Sequence, residues 1–162
     1  NIGRELPLHF HDKRGEEDAR VLREGLPEIA GAVAFVRSLP PDLPVAVASS
    51  STKQWVRTHL DHLGLGDAFG DHVFSGREDV ERGKPAPDIY LHAARALGVD
   101  IRRTVVIEDS EVGAKAALAS GARVIGLVAG AHCLPGHPGL LRQAGVREIA
   151  DDFGDLRRLL KL

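Results

Sequence analysis

Sulfur is nearly absent from this chain of 162 residues, which has one cysteine and no methionine. A lone Cys133 excludes an internal disulfide and fits a reducing, cytoplasmic setting. A sequence that opens on Asn1 and holds no Met reads as a piece of a longer translation product. Aromatics are also scarce, at 4%, so the core has to be built from Val, Leu, Ile and Ala within the 43% that is hydrophobic. No apolar run approaches the roughly 18 residues of a membrane span, and no signal-peptide pattern is present. Charge of one sign is lacking too: 21 Lys and Arg stand against 23 Asp and Glu, interspersed, for a net −2. That leaves no basic stripe for nucleic acid. The expectation is a single domain with neither membrane nor nucleic-acid partner, its oligomeric state open.

What is present concentrates in three segments. In the first, Val105-Val106-Ile107 runs into Glu108-Asp109-Ser110, followed by a small-residue helix to Gly121. A short apolar run bounded by polar residues reads as a buried strand, and Ser110 as the N-cap of the next helix. Glu108 and Asp109 then sit at the carboxyl end of a strand, where open α/β sheets bind ligands. Adjacent carboxylates repel, and oxygen-only ligands favour Mg2+ as the counterion. In the second, Pro44 to Ser49 is another strand, ending in hydroxyls. Ser50 and Ser51 stand at the mouth of a helix patterned by Trp55, Val56, Leu60 and Leu63, where an anion is favoured.

The third segment is Gly83-Lys84-Pro85-Ala86-Pro87-Asp88-Ile89-Tyr90. Pro85 and Pro87 suit a first helical turn. Lys84 reads as a point charge for phosphate on the loop ahead of it, with little part in core packing. Gly76 to Lys84 is no P-loop: its glycine spacing is too long, and Pro85 stands where the Mg2+-binding hydroxyl belongs.

Taken in order from about Pro44 to Gly126, the three segments resemble motifs two, three and four of the haloacid dehalogenase superfamily. The Lys-Pro-Ala-Pro-Asp-Ile-Tyr wording is similar to the branch of sugar phosphatases and β-phosphoglucomutase, which carry a helical cap inserted after the first strand. A receiver domain is disfavoured, since its acidic pair comes near the start of the chain. The resemblance implies a doubly wound, parallel-sheet, Rossmann-like α/β core. It implies that Ser49 binds the phosphoryl group with Ser50 beside it, and that Lys84 stabilises the charge there and on the nucleophile. It further implies that Asp109 holds Mg2+, with Glu108 beside it, and that the substrate is a small phosphorylated metabolite, first a sugar phosphate.

The family's nucleophile, the first aspartate of an Asp-x-Asp pattern ending an N-terminal apolar strand, has no counterpart before Pro44. Asp151-Asp152-Phe153-Gly154-Asp155 follows a weak strand at Val146–Ala150 and reads as a turn opening the last helix. In the family's sheet the missing strand is the central one, so these 162 residues alone are expected to have no turnover. Residues 1–24, polar and His-rich, read as the tail of the cap, and 25–162 as the core. There, Ile29, Val33, Val36 and Leu39 pattern a helix before Pro40-Pro41. Strands at 44–49, 72–74, 104–107 and 123–127 alternate with helices at 52–63, 86–97 and 111–119, the α/β signature. Gly130 to Gly139 reads as a loop.

The expected function is a Mg2+-dependent phosphatase working through an aspartyl-phosphate on the absent aspartate. Two alternatives stay open: β-phosphoglucomutase-type phosphoryl transfer, and a non-catalytic phosphate-binding module. Dehalogenation is disfavoured, because dehalogenases of this fold need no Mg2+ and lack the Glu-Asp pair. Neither His9-Phe10-His11 nor His132, Cys133 and His137 supplies four ligands at structural-zinc spacing. Both sets read as loop residues, the second near the rim of the site.

Overall fold

Alternation of short β-branched runs with amphipathic segments produces a parallel α/β layer structure. The computed structural model describes Gly25 and residues 27–162. The expected cap tail at 1–24 therefore lies outside the described residues. Element order is α1 (Ala32–Arg37), β1 (Val47–Ser49), α2 (Lys53–His62), α3 (Gly66–Phe69), β2 (Val73–Ser75), α4 (Asp88–Ala96), β3 (Val105–Glu108), α5 (Glu111–Ser120), β4 (Arg123–Leu127), α6 (His137–Gln143), β5 (Glu148–Ala150) and α7 (Phe153–Leu160). None of these helices is long and apolar enough to cross a membrane.

Among the described residues the sheet is in two pieces. β1 pairs with β2, and separately the order β3-β4-β5 forms a second piece, every pairing parallel. Among the described residues, β1 and β3 each have one edge without a ladder partner. Parallel strands are normally covered on both faces. β2 follows that rule and is buried throughout, whereas β1 is only half-buried and Ile107 of β3 is 40% exposed.

Small residues set the spacing around the second piece. α5 buries Gly113, Ala114, Ala116, Ala117 and Ser120, so it packs close to the strands it follows. Its ends obey local rules: the Ser110 hydroxyl accepts from Gly113 N at 3.0 Å, and Gly121 closes the helix at φ 88°. Asp152 caps α7 by accepting from Asp155 N at 2.7 Å, so the acidic cluster there is a helix start, as expected. Ile125, Leu127, Ala150, Leu156 and Phe35 form one core cluster, and Phe74, Ile89, Tyr90 and Val106 anchor the other.

Three local expectations are corrected. The Ile29–Leu39 pattern yields only the short α1, whose buried residue is Phe35. Pro85 lies in the loop before α4, across a cis Lys84–Pro85 bond, and Pro87 is the N-cap residue rather than part of a first turn. The loop expected up to Gly139 ends earlier, because His137 opens α6, with Pro138 in its first turn and Leu141 fully buried.

Candidate active site

The carboxyl ends of β1 and β3, the loop before α4 and the mouth of α5 meet at a cleft of about 460 Å³. Its apolar lining comes from Ile29, Val47, Ile107, Val112 and Leu127. Its polar lining comes from Ser49, Ser50, Lys84, Glu108, Asp109 and Ser110. The cleft thus brings together Ser49, Ser50, Lys84, Glu108 and Asp109, the residues that the family resemblance singles out for phosphate or metal.

Lys84, expected to take little part in packing, is enclosed. Its side chain is 9% exposed and that of Glu108 is 7% exposed. The ammonium donates to Glu108 Oε1 and, at 3.2 Å, to the carbonyl oxygen of Ala48. It also lies 4.9 Å from the centre of the Tyr90 ring. Because Val47 and Ser49 turn their ladder groups toward β2, strand alternation aims the Ala48 carbonyl at the open edge. Lys84 therefore caps part of that edge.

Glu108 is held from all sides. Tyr90 donates its hydroxyl to Oε1, and Ser110 donates its backbone N–H at 3.3 Å and its hydroxyl at 3.0 Å to Oε2. Burial pushes the carboxyl up, but the Lys84 charge and the hydrogen bonds from Lys84, Tyr90 and Ser110 outweigh it, leaving Glu108 below the ordinary glutamate value. Burial, then the adjacent Glu108 charge, pushes the Tyr90 phenol far up, so it stays a proton donor. Both oxygens of Glu108 are thus engaged by protein. Asp109 differs: its side chain is 48% exposed in the cleft, its Oδ2 lying 3.0 Å from His132 Nε2.

Ser49 is fixed by a turn, its hydroxyl accepting from Ser51 N at 3.1 Å. Behind it, fully buried Ser75 donates to the Ser51 carbonyl at 2.8 Å and accepts from Arg77 N at 3.1 Å. Asp79 in turn accepts from Ser75 N at 2.7 Å and pairs with Lys53. The sequence reading missed Tyr90 and Ser75. A tyrosine among the apolar residues of a helix and a serine ending β2 carry no motif of their own.

Residues 4–121 match the haloacid dehalogenase-like hydrolase family. The chain belongs to that family. Among curated relatives, it is similar to a 6-phosphogluconate phosphatase of Escherichia coli, 30% identical over 74% of this chain and 52% of that protein. It is also similar to a phosphorylated carbohydrates phosphatase of Thermotoga maritima, 36% identical over 74% of this chain and 56% of that protein. The chain spans about half the length, or less, of the curated relatives it matches. Among solved structures, a haloacid dehalogenase-like protein of unknown function from Agrobacterium tumefaciens superimposes with TM-score 0.87 at 31% identity, over 97% of this chain and 70% of that one. A family hydrolase from Deinococcus radiodurans with bound phosphate and sodium gives TM-score 0.79 at 32% identity, over 98% and 69%.

Proposed function

We propose that this chain is part of a Mg2+-dependent phosphatase of small phosphorylated metabolites, sugar phosphates first. The observation that carries the reading is the cleft lined by one hydroxyl, one buried ammonium and one half-exposed carboxylate at strand ends of a hydrolase-family fold. The carbohydrate phosphatases among its relatives support the substrate class.

In this reading Ser49, with Ser50 beside it, receives the phosphoryl oxygens. An ammonium has three donors. Lys84 uses one on Glu108 and one on Ala48, and turns the third to phosphate. Glu108 serves chiefly to hold the Lys84 ammonium in place, and Asp109 is the carboxylate that holds the metal. A hard oxygen donor with part of its surface open fits Mg2+, which keeps waters and substrate oxygens beside one or two carboxylates. When bound, Mg2+ would neutralise charge on the transferring phosphoryl group.

The nucleophilic aspartate in this reading ends an apolar strand seated between β1 and β3, where the apolar lining and the open edges offer it both packing and ladder partners. The test is phosphate release from a panel of phosphorylated sugars with Mg2+. It is measured for these 162 residues alone and for the same chain preceded by its gene-encoded N-terminal segment. The first is expected to be silent and the second active. Turnover by the 162 residues alone would overturn the placement of the nucleophile, and silence of both across the panel would overturn the phosphatase reading.

A further inference from the structure

The turn after β4 and the first residue of α6 gather three metal-binding side chains that the phosphate site does not use. The ligand atoms of His132, Cys133 and His137 all lie within 4.8 Å of one another. Cys133 Sγ is 3.4 Å from His132 Nε2, and that same nitrogen is 3.0 Å from Asp109 Oδ2. In a tetrahedral zinc site with Zn–N near 2.0 Å and Zn–S near 2.3 Å, neighbouring donors stand about 3.3–3.6 Å apart. The Cys133–His132 separation falls in that range, the His132–Asp109 separation lies 0.3 Å below it, and the His137 donor is within 4.8 Å of the other two.

The backbone is shaped to keep these groups together. A β-carbon on Gly130 would lie 2.5 Å from His132 Cε1 and 2.7 Å from Nδ1, so only glycine leaves the ring where it is. Cys133 N donates to the Gly130 carbonyl at 2.9 Å, closing the turn. Nε2 of His137 hydrogen-bonds the carbonyl oxygen of Asp109, which ties α6 to the end of β3. Such a contact to an outer carbonyl is how metal-binding imidazoles are commonly oriented.

We propose that His132, Cys133 and His137, with the Asp109 carboxylate as fourth ligand, form a site for a thiophilic first-row cation such as Zn2+. Imidazole and thiolate select such ions and disfavour Mg2+. Cys133 binds as thiolate, its proton passing to solvent. Sequence spacing hid the site because the fourth ligand comes from the other side of α5 and β4. One consequence rests on the phosphatase reading: a zinc ion that takes Asp109 removes the carboxylate proposed for Mg2+, so the two metals exclude each other.

Co2+ is the probe, because its visible spectrum reports tetrahedral coordination and a bound thiolate adds a near-ultraviolet charge-transfer band. The chain is expected to bind one Co2+ with both signatures and to release it to Zn2+. Cys133→Ser should lose the thiolate band, and His137→Gln or Asp109→Asn should weaken binding by about 10- to 100-fold. Far-ultraviolet circular dichroism should be unchanged in all three variants, which alter partly exposed side chains. A weak octahedral spectrum, or equal affinity in the wild type and the three variants, would overturn the site. In an active phosphatase, Zn2+ should inhibit and Cys133→Ser should raise the inhibitory concentration by about tenfold or more. An unchanged inhibitory concentration would overturn the shared ligand. The cobalt spectrum stands apart from catalysis, so a failed phosphatase reading leaves that result intact.

Discussion

Gly113 and Glu108 occupy one space: a β-carbon on Gly113 would lie 2.1 Å from both Cδ and Oε2 of the buried carboxylate. The glycine in the Ser-x-x-Gly sequence at the start of α5 is thus a packing requirement of the strand before it. Glu108 reaches Lys84, Tyr90 and Ser110 at once only because α5 presents no side chain at this point. Gly113→Ala should displace the carboxylate and lower stability by about 1–3 kcal/mol, as overpacking of a filled site does. Urea denaturation checks it, and a loss under a few tenths of a kcal/mol would show that Glu108 has another place to go.

Lys84 and Glu108 should behave as one unit. Removing either partner leaves the other charge buried, which costs about 3–5 kcal/mol, whereas removing both costs less. Lys84→Met and Glu108→Leu should therefore each destabilise more than their combination, in a double-mutant cycle read by urea denaturation. Additive losses would mean that solvent screens the pair. Activity losses in Lys84 variants consequently need stability measured on the same preparation.

The pH dependence has a definite sign. The folded state holds Glu108 below its ordinary value, so it binds fewer protons there than the unfolded chain does. Its contribution is present above the ordinary glutamate value of 4.5 and is lost as pH falls through the lower folded value. Asp79, for which burial pushes up but Lys53 and the Ser75 amide pull down further, adds in the same direction. Stability should be level from about pH 6 to 8 and decline below the carboxylate range. In Glu108→Gln that decline should be shallower. An equal slope in the variant would place the acid sensitivity elsewhere.

Ser49 and Asp109 should separate function from stability. Each lines the cleft and is only partly buried. A charge-assisted bond from Ser49 to phosphate of order 1.5–3 kcal/mol corresponds to roughly 10- to 150-fold in kcat/KM. In the active protein, Ser49→Ala should show a loss of that size and melt within a few degrees of wild type. Asp109→Asn should remove the Mg2+ dependence with a similarly small change in Tm. Parallel losses of Tm and kcat/KM would assign both residues to the fold instead.

The sequence alone determined much of this molecule, because the relevant signals are local. Strand-then-cap at Val105–Ser110, the Gly121 helix stop and the turn opening the last helix at Asp151–Asp155 each depend on neighbours a few residues away, and all three stand in the structure. The ordered motifs also pointed to the family that residues 4–121 match. Tertiary structure decided what each charge does. Lys84 and Glu108 are 24 residues apart, and only the crossover through α4 to β3 buries them together, turning a lysine expected only as a point charge for phosphate into one half of a desolvated ion pair. The same crossover places Tyr90 over the pair and leaves Asp109, one residue beyond Glu108, at the surface. Adjacent residues at a strand end point to opposite sides, so which carboxylate is enclosed and which stays open depends on what the rest of the chain packs against each face.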